Sequence, residues 1–353
     1  MIYASVPEFD YCQRALPSKS NGQWNSKIRL VRLSAIPPVT LGLEGVCFLV
    51  SQFHIHTSVQ VIVNGRAGRM AASKSRDDLT ALIKAVYPEA TVIFTTEARD
   101  VPKLARDAVK RGSTLIVAGG GDGTINAVAS VLVGTETVLG VLPLGTLNHF
   151  AKDLGIPAAL ESAVENLATG RVMAVDAGDV NGHIFVNNSG LGLYPAIVRL
   201  REKRQKRGKS KWVATAFAAA RALLRYRRLT LRVIANGKQL VRRTSIVFVG
   251  NNEYAIEGLN LGKRARLDAA VLCLYIPRET DRLKLIWLTL GALMGRLQQN
   301  KDYDKILSED LWVRSRRRTV HVSIDGEVIR LAPPLHYRMR QKALRVLVPR
   351  SEH

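Results

Sequence analysis

Three short turns in this sequence carry residue types and spacings suited to phosphate chemistry. The first reads Gly119-Gly120-Gly121-Asp122-Gly123-Thr124 and follows the apolar run 114–118. Glycines let backbone N–H groups approach a phosphate closely, and a helix starting at Thr124 adds partial positive charge from its N-terminus. Asp122 could orient a metal ion or a reacting hydroxyl. The second turn, Pro143-Leu144-Gly145-Thr146-Leu147-Asn148, also ends a β-rich run and opens a helical pattern, which brings Thr146 and Asn148 to the same sheet edge. The third, Asp325-Gly326-Glu327, sets two carboxylates one glycine apart, and such a group can take a proton from an alcohol. Each turn also has a plainer use. Glycines close sheet edges, Thr and Asn cap helices, and Asp-Gly is a strong hairpin signal. The first turn lacks a Walker A pattern and misses the dinucleotide fingerprint, because Thr124 stands where the third glycine would be. Two such turns at one edge favour a ligand over simple chain reversal.

The elements that must hold these turns follow from hydrophobic periodicity. Residues 1–57 show no sustained period and are expected to be a poorly structured extension, dispensable for activity. Order begins with the β-rich run 59–64, punctuated by Gly65 and Gly68. Helical patterns over 73–87, 101–111 and 124–133 then alternate with strands 92–95, 114–118 and 138–143, which predicts βαβ units and a doubly wound parallel sheet over 58–171. From 172 to 353 the texture changes to strand-like runs at 172–177, 184–188, 229–235, 244–250, 270–276, 318–324 and 344–348, with helices near 212–226 and 281–298. A mainly antiparallel second domain is expected, with a cleft between the two as the place for a site.

Composition bounds the function. The 353 residues hold 52 Lys+Arg against 29 Asp+Glu, a net +23, which points to an anionic partner. Residues 199–232 carry thirteen Lys or Arg against the single Glu202. The run 199–211 could rest on anionic headgroups, be a solvated loop, or touch nucleic acid; no helix-turn-helix, zinc or RNA-binding aromatic pattern supports the last. Three cysteines without metal-type spacing argue against a disulfide framework or a zinc site and fit a reducing cytoplasm. His54 and His56 read as an incidental pair. The apolar run 285–295 is too short for a bilayer span, and Glu8 and Asp10 disfavour a signal peptide.

The segments 61–68 (VIVNGRAG), 119–124 and 142–153 (LPLGTLNHFAKD) resemble the catalytic domain of the diacylglycerol kinase family, which includes bacterial lipid kinases and sphingosine kinases. The likeness continues through 185–192 (FVNNSGLG), 250–252 (GNN) and 324–327 (IDGE), and covers roughly 59–349. It implies an α/β fold: a Rossmann-like parallel-sheet nucleotide domain followed by a mainly antiparallel β-sandwich domain with helices, and ATP in the cleft. It implies that Gly119, Gly120, Gly121, Asp122, Gly123, Thr124, Ile125 and Asn126 hold the ATP phosphates, with Asn64, Thr95, Gly145, Thr146 and Asn148 completing the nucleotide site. Thr96 is the alternative to Thr95. Glu327 would accept the proton beside Asp325, with Asp122 as a third catalytic acid. ATP and Mg2+ are the implied cofactors, and a diacylglycerol-like lipid is the implied acceptor. The enzyme would be cytoplasmic and peripheral on the inner face of the membrane, with no nucleic acid partner. NAD kinases share the architecture and the GGDGT loop, so a soluble acceptor is the alternative, as is a catalytically silent member that binds nucleotide or an anionic surface. Three departures stand out. Gly65 replaces a usual Pro, Ala67 replaces a common Ser, and Leu267-Asp268-Ala269-Ala270 stands where relatives carry Leu-Asp-Asp-Gly. A magnesium site using the second Asp would lose its carboxylate at Ala269, so no metal ligand is assigned.

Overall fold

The computed structural model describes residues 58–67, 73–193, 229–257, 260–264, 266–277 and 303–350, together with 19–20 and 23–24. The basic run 199–211 and the expected helices 212–226 and 281–298 lie outside the described residues. The chain forms two units, Met1–Ile55 and His56–His353. In the first, strands β1 (Lys19–Ser20) and β2 (Gln23–Trp24) pair antiparallel. All that follows concerns the second unit.

Its first part alternates strand and helix. Strands β3 (Val59–Asn64), β4 (Thr91–Thr95), β5 (Leu115–Gly120) and β6 (Val138–Pro143) are interleaved with helices α1 (Ser73–Val86), α2 (Val101–Lys110) and α3 (Asp122–Leu132). The strands lie in the order β4-β3-β5-β6, all parallel. β3 and β5 are buried along nearly their whole length, the continuous apolar pattern of strands covered on both faces. Leu79 and Ile83 of α1, Ala105 and Ala108 of α2, and Ile125, Val128 and Leu132 of α3 pack in the core around this sheet. Full burial of a Leu or Ile contributes about 1.5–3 kcal/mol each. After β6 come α4 (His149–Asp153) and α5 (Leu160–Thr169).

The second part is an antiparallel sandwich. One of its sheets runs β16-β15-β12-β9-β18-β19, formed by β9 (Asn188–Gly192), β12 (Ile246–Asn251), β15 (Leu272–Pro277), β16 (Tyr303–Ser308), β18 (Val320–Ile324) and β19 (Glu327–Leu331). The facing layer holds β7 (Arg171–Val180), β8 (His183–Phe185), β10 (Leu229–Ala235), β11 (Lys238–Thr244), β17 (Asp310–Ser315) and β20 (Leu335–Val348). Alternate residues such as Val247, Val249, Leu272, Leu274, Val320 and Val322 meet Leu231, Val233, Leu311 and Val313 in a second core. The short pair β13 (Tyr254–Glu257) and β14 (Asn260–Arg264) stands apart from both sheets.

β20 ties the two parts together. Its beginning pairs with β17, residues 337–340 and 344–348 pair with β7, and Val346 reaches Leu139 of β6 in parallel. Leu335 and Tyr337 therefore sit in the sandwich core, while Leu344, Val346 and Val348 sit in the core of the parallel sheet. A register shift between Arg340 and Leu344 marks the crossing, and Lys342 adopts φ 47° there. The buried Asp176 carboxylate receives the Lys342 N–H at 2.7 Å, which holds the bulge. The expected fold class is the observed one: a parallel α/β part followed by an antiparallel sandwich.

Candidate active site

The carboxyl ends of the parallel strands bring the first two turns together. β5 ends at Gly120, and α3 begins at Asp122 with Gly121 as its cap in an extended conformation. The N–H groups of Thr124 and Ile125 donate to the Gly121 carbonyl at 3.0 and 3.1 Å. That leaves the N–H groups of Asp122 and Gly123 heading the helix without partners among the described residues, the usual orphan donors of a helix start. Asp122 Oδ1 and both amide atoms of Asn126 are buried without a hydrogen bond partner. A β-carbon on Gly123 would meet nothing within 4 Å, so this backbone is open to a ligand. Ile125 is fully buried in the core, and its N–H is spent on Gly121.

The second turn is fastened to the first. Leu144 N–H donates to the Gly120 carbonyl at 2.9 Å. Asn148, in the left-handed region at φ 50°, accepts the Gly145 N–H and donates to the carbonyls of Gly145 and Pro143. Its side chain thus folds the turn upon itself and leaves Thr146 exposed. Asn64 closes the neighbouring turn: Oδ1 accepts the Arg66 N–H at 3.0 Å, and Nδ2 donates to the Thr124 hydroxyl at 3.4 Å. The buried Thr95 hydroxyl is engaged by the Glu97 backbone, whereas Thr96 beside it is exposed. Strand pairing sets Asn64 opposite Thr95, so both reach the same edge as Gly120.

The third turn joins β18 to β19. Asp325 at φ 46° and Gly326 at φ 95° give consecutive left-handed residues, the backbone of a two-residue hairpin, and Ile324 pairs with Glu327. Asp325 is held from outside the hairpin. Oδ2 accepts the Val186 N–H at 2.7 Å, Oδ1 accepts those of Asn187 and Asn188 at 2.8 Å, and its own N–H donates to Asn188 O. Burial pushes this carboxyl up to about 6, while the three amides and the Arg264 guanidinium pull the other way. Glu327 projects from the same turn and is exposed.

Arg264, a residue that sequence reasoning did not single out, lies between the second and third turns. Its side chain is fully buried. Nε donates to Asp153 Oδ2 at 2.8 Å, Nη1 to the carbonyls of Val186 and Asn251 at 2.5 and 3.1 Å, and Nη2 to Asn187 Oδ1 at 3.0 Å. The rings of Phe150 and Tyr254 lie 5.9 and 5.6 Å from the guanidinium carbon. Removing one partner of such a buried pair costs about 3–5 kcal/mol, since the other charge is left without compensation.

Two magnesium positions can be tested against these side chains. At the phosphate turn, the buried and unpartnered Asp122 Oδ1 would suit a cation. At 268–270 the side chains do not fit one. Asp268 is paired with Arg266 at 3.1 Å, position 269 is Ala, and Ala270, at φ 57°, gives its N–H to Asp176 Oδ2 at 2.7 Å. No group of three or more His, Cys, Asp or Glu able to hold a metal occurs among the described residues. None of the described helices is long and apolar enough to cross a membrane.

Comparison with known proteins gives this arrangement its family. Residues 58–180 match the model of the diacylglycerol kinase catalytic domain. This segment belongs to that family. Residues 195–348 match the YegS C-terminal NAD kinase beta sandwich-like domain. A diacylglycerol kinase of Bacillus subtilis is 36% identical over 136 residues, 38% of this chain and 45% of that protein. A probable lipid kinase YegS-like protein of Citrobacter koseri is 36% identical over 132 residues, 36% of this chain and 43% of that protein. The matches span less than half the length of these curated relatives. The crystal structure of a diacylglycerol kinase from Bacillus anthracis str. Sterne superimposes with a TM-score of 0.61 at 20% identity, covering 83% of this chain and 97% of that one, which shows the shared fold. The kinase catalytic domain thus contains both glycine turns, and the sandwich contributes the acidic one.

Proposed function

We propose that this protein is an ATP- and Mg2+-dependent lipid kinase that transfers the γ-phosphoryl group to a hydroxyl of a diacylglycerol-like acceptor. The observation that carries the reading is the open helix start at Asp122 and Gly123, next to a second turn fastened at Leu144, with one Asp122 carboxylate oxygen and the Asn126 amide buried beside it and unspent. The free N–H groups and the helix dipole hold the phosphate oxygens. Asn64, Thr96 or Thr95, Thr146 and Asn148 shape the remaining nucleotide site at the same sheet edge. Bound magnesium would neutralise the phosphate charge, and Asp122 would be the residue that holds it. Glu327 takes the proton of the acceptor hydroxyl as its oxygen forms a bond to the γ-phosphorus. The bond from that phosphorus to the bridging oxygen breaks, and ADP leaves. Asp325, with both oxygens occupied by amides, holds the turn that aims Glu327.

The lipid acceptor rests on the kinase catalytic-domain match and on relatives named as diacylglycerol and lipid kinases. The enzyme then works at the cytoplasmic membrane surface, with the basic run 199–211 lengthening its residence on anionic headgroups. The second reading, a soluble acceptor, is favoured by the NAD kinase-like character of the matched sandwich domain. Incubation of the purified chain with γ-labelled ATP and either mixed lipids or NAD separates the two by which fraction takes the label.

A further inference from the structure

We propose that Arg264 is a positioning residue that locks the Asp325-Gly326-Glu327 turn to the α4 end of the second glycine turn, so that acceptor and nucleotide sides move as one. The inference rests on the kinase reading for its consequence in turnover, and on geometry alone for the coupling. On one side Arg264 grips Asp153, the last residue of α4, whose first turn follows directly from Asn148. On the other it grips the Val186 carbonyl and the Asn187 side chain. The N–H groups of Val186, Asn187 and Asn188 are the three donors that fix the Asp325 carboxylate. The link therefore runs from Asp153 through one guanidinium to one peptide loop and on to Asp325, two residues before Glu327.

The planar fork suits this task. Four N–H donors leave Arg264 in fixed directions toward four acceptors on three separate segments, which a lysine ammonium on a flexible stem cannot match. Phe150, from the same helix as Asp153, and Tyr254, whose hydroxyl donates to the Asn187 carbonyl at 3.0 Å, flank the guanidinium and keep water from it. An arginine whose role was only to fill the core would not need partners in both glycine-turn and acceptor-turn segments.

The test compares Asp153→Asn, Arg264→Lys and the double variant in the full chain. Asp153→Asn keeps an oxygen acceptor for Nε and touches none of residues 186–188, so it is the informative change if Arg264→Lys folds poorly. Amide hydrogen exchange of the 184–190 segment, read by mass spectrometry, should quicken about tenfold in both single variants while the remaining segments keep wild-type protection. Turnover should fall about tenfold or more with the KM for ATP within twofold, and the double variant should be no worse than Arg264→Lys, because both changes cut one link. Unchanged exchange at 184–190 in Asp153→Asn would overturn the proposal. So would faster exchange spread over the whole chain, or losses that add in the double variant. Exchange is measured without turnover. A wild-type protein that phosphorylates no acceptor would sink the kinase reading and leave the coupling to be decided by exchange.

Discussion

A β-carbon on Gly145 would lie 2.4 Å from the Cα of Gly121, closer than any real side chain tolerates, whereas one on Gly121 would lie 3.5 Å from the Cα of Gly145. The two glycine turns touch backbone to backbone, and the contact is tight from one side only. Gly145→Ala should therefore push the turns apart and lower stability by about 1–3 kcal/mol, the usual cost of overpacking. A denaturation midpoint equal to wild type would show that the turns are not in contact.

Gly123 gives the complementary experiment. Nothing lies within 4 Å of a β-carbon there, and alanine favours a helical first turn over glycine by up to about 1 kcal/mol. Gly123→Ala should keep or raise thermal stability while weakening ATP binding, measured by calorimetry, because the added methyl occupies space next to the free N–H groups. Unchanged affinity would mean that phosphate does not approach this backbone.

Glu327 is exposed and its removal takes nothing from either core. Glu327→Gln should leave the melting temperature in place and lower kcat by about 10²–10⁴-fold, the range for loss of a general base. Asp122→Asn should also lower kcat, and should shift the magnesium dependence of turnover to higher concentration. A Glu327→Gln enzyme with wild-type turnover would remove the residue from the reaction.

The Asp325 carboxyl, pushed up to about 6 by burial against the ordinary value of 3.8, binds a proton more readily in the folded chain than in the unfolded one. Its contribution to stability is therefore complete below about pH 4 and is lost as pH rises through about 6. Asp325→Asn removes that titration, at the cost of setting an amide donor against one of the three N–H groups. The variant should be less stable at every pH, and its stability should decline less than that of wild type between pH 4 and 6.5. Parallel stability-pH curves from chemical denaturation would contradict the assignment.

The kinase catalytic-domain match begins at residue 58, and residues 1–55 form a unit of their own. A protein beginning at Ser58 is expected to fold and to keep the turnover of the full chain in the same assay. Loss of folding in that protein would place part of residues 1–57 in the fold.

Local chemistry made much of this legible in sequence. The β-branched run at Val59–Asn64 and the strand-turn-helix at 115–132 follow from periodicity and glycine punctuation, and Asp325-Gly326 was open both as a hairpin and as a site element. What escaped depends on distant partners. β14 reads NLGKR, with no alternation to mark it, and nothing local shows that Arg264 meets Asp153, 111 residues away. Only the apolar end of β20, 344–348, was read as a strand, because 335–343 is an edge-like mixture of polar and apolar residues that becomes a strand by pairing with β7 and β17. β11 and β17 were missed for the same reason, since KQLVRRT is mostly polar and DLWVRS half polar, and both gain order from β10. Asp176 shows the limit most clearly. An ordinary acid in sequence, it is a buried clamp on the amides of Ala270 and Lys342, 94 and 166 residues away.

The central claim is transfer of phosphate from ATP to a lipid hydroxyl, and one measurement bears on it directly. Purified wild type and Glu327→Gln are given γ-labelled ATP, Mg2+ and detergent-dispersed diacylglycerol, with a parallel reaction containing NAD, and the organic and aqueous fractions are counted. The account predicts label in the organic fraction with wild type, a loss of about 10²-fold or more with Glu327→Gln, and no labelled product from NAD. Label that appears only in the aqueous NAD product, or in neither fraction while ATP binds normally, would contradict it.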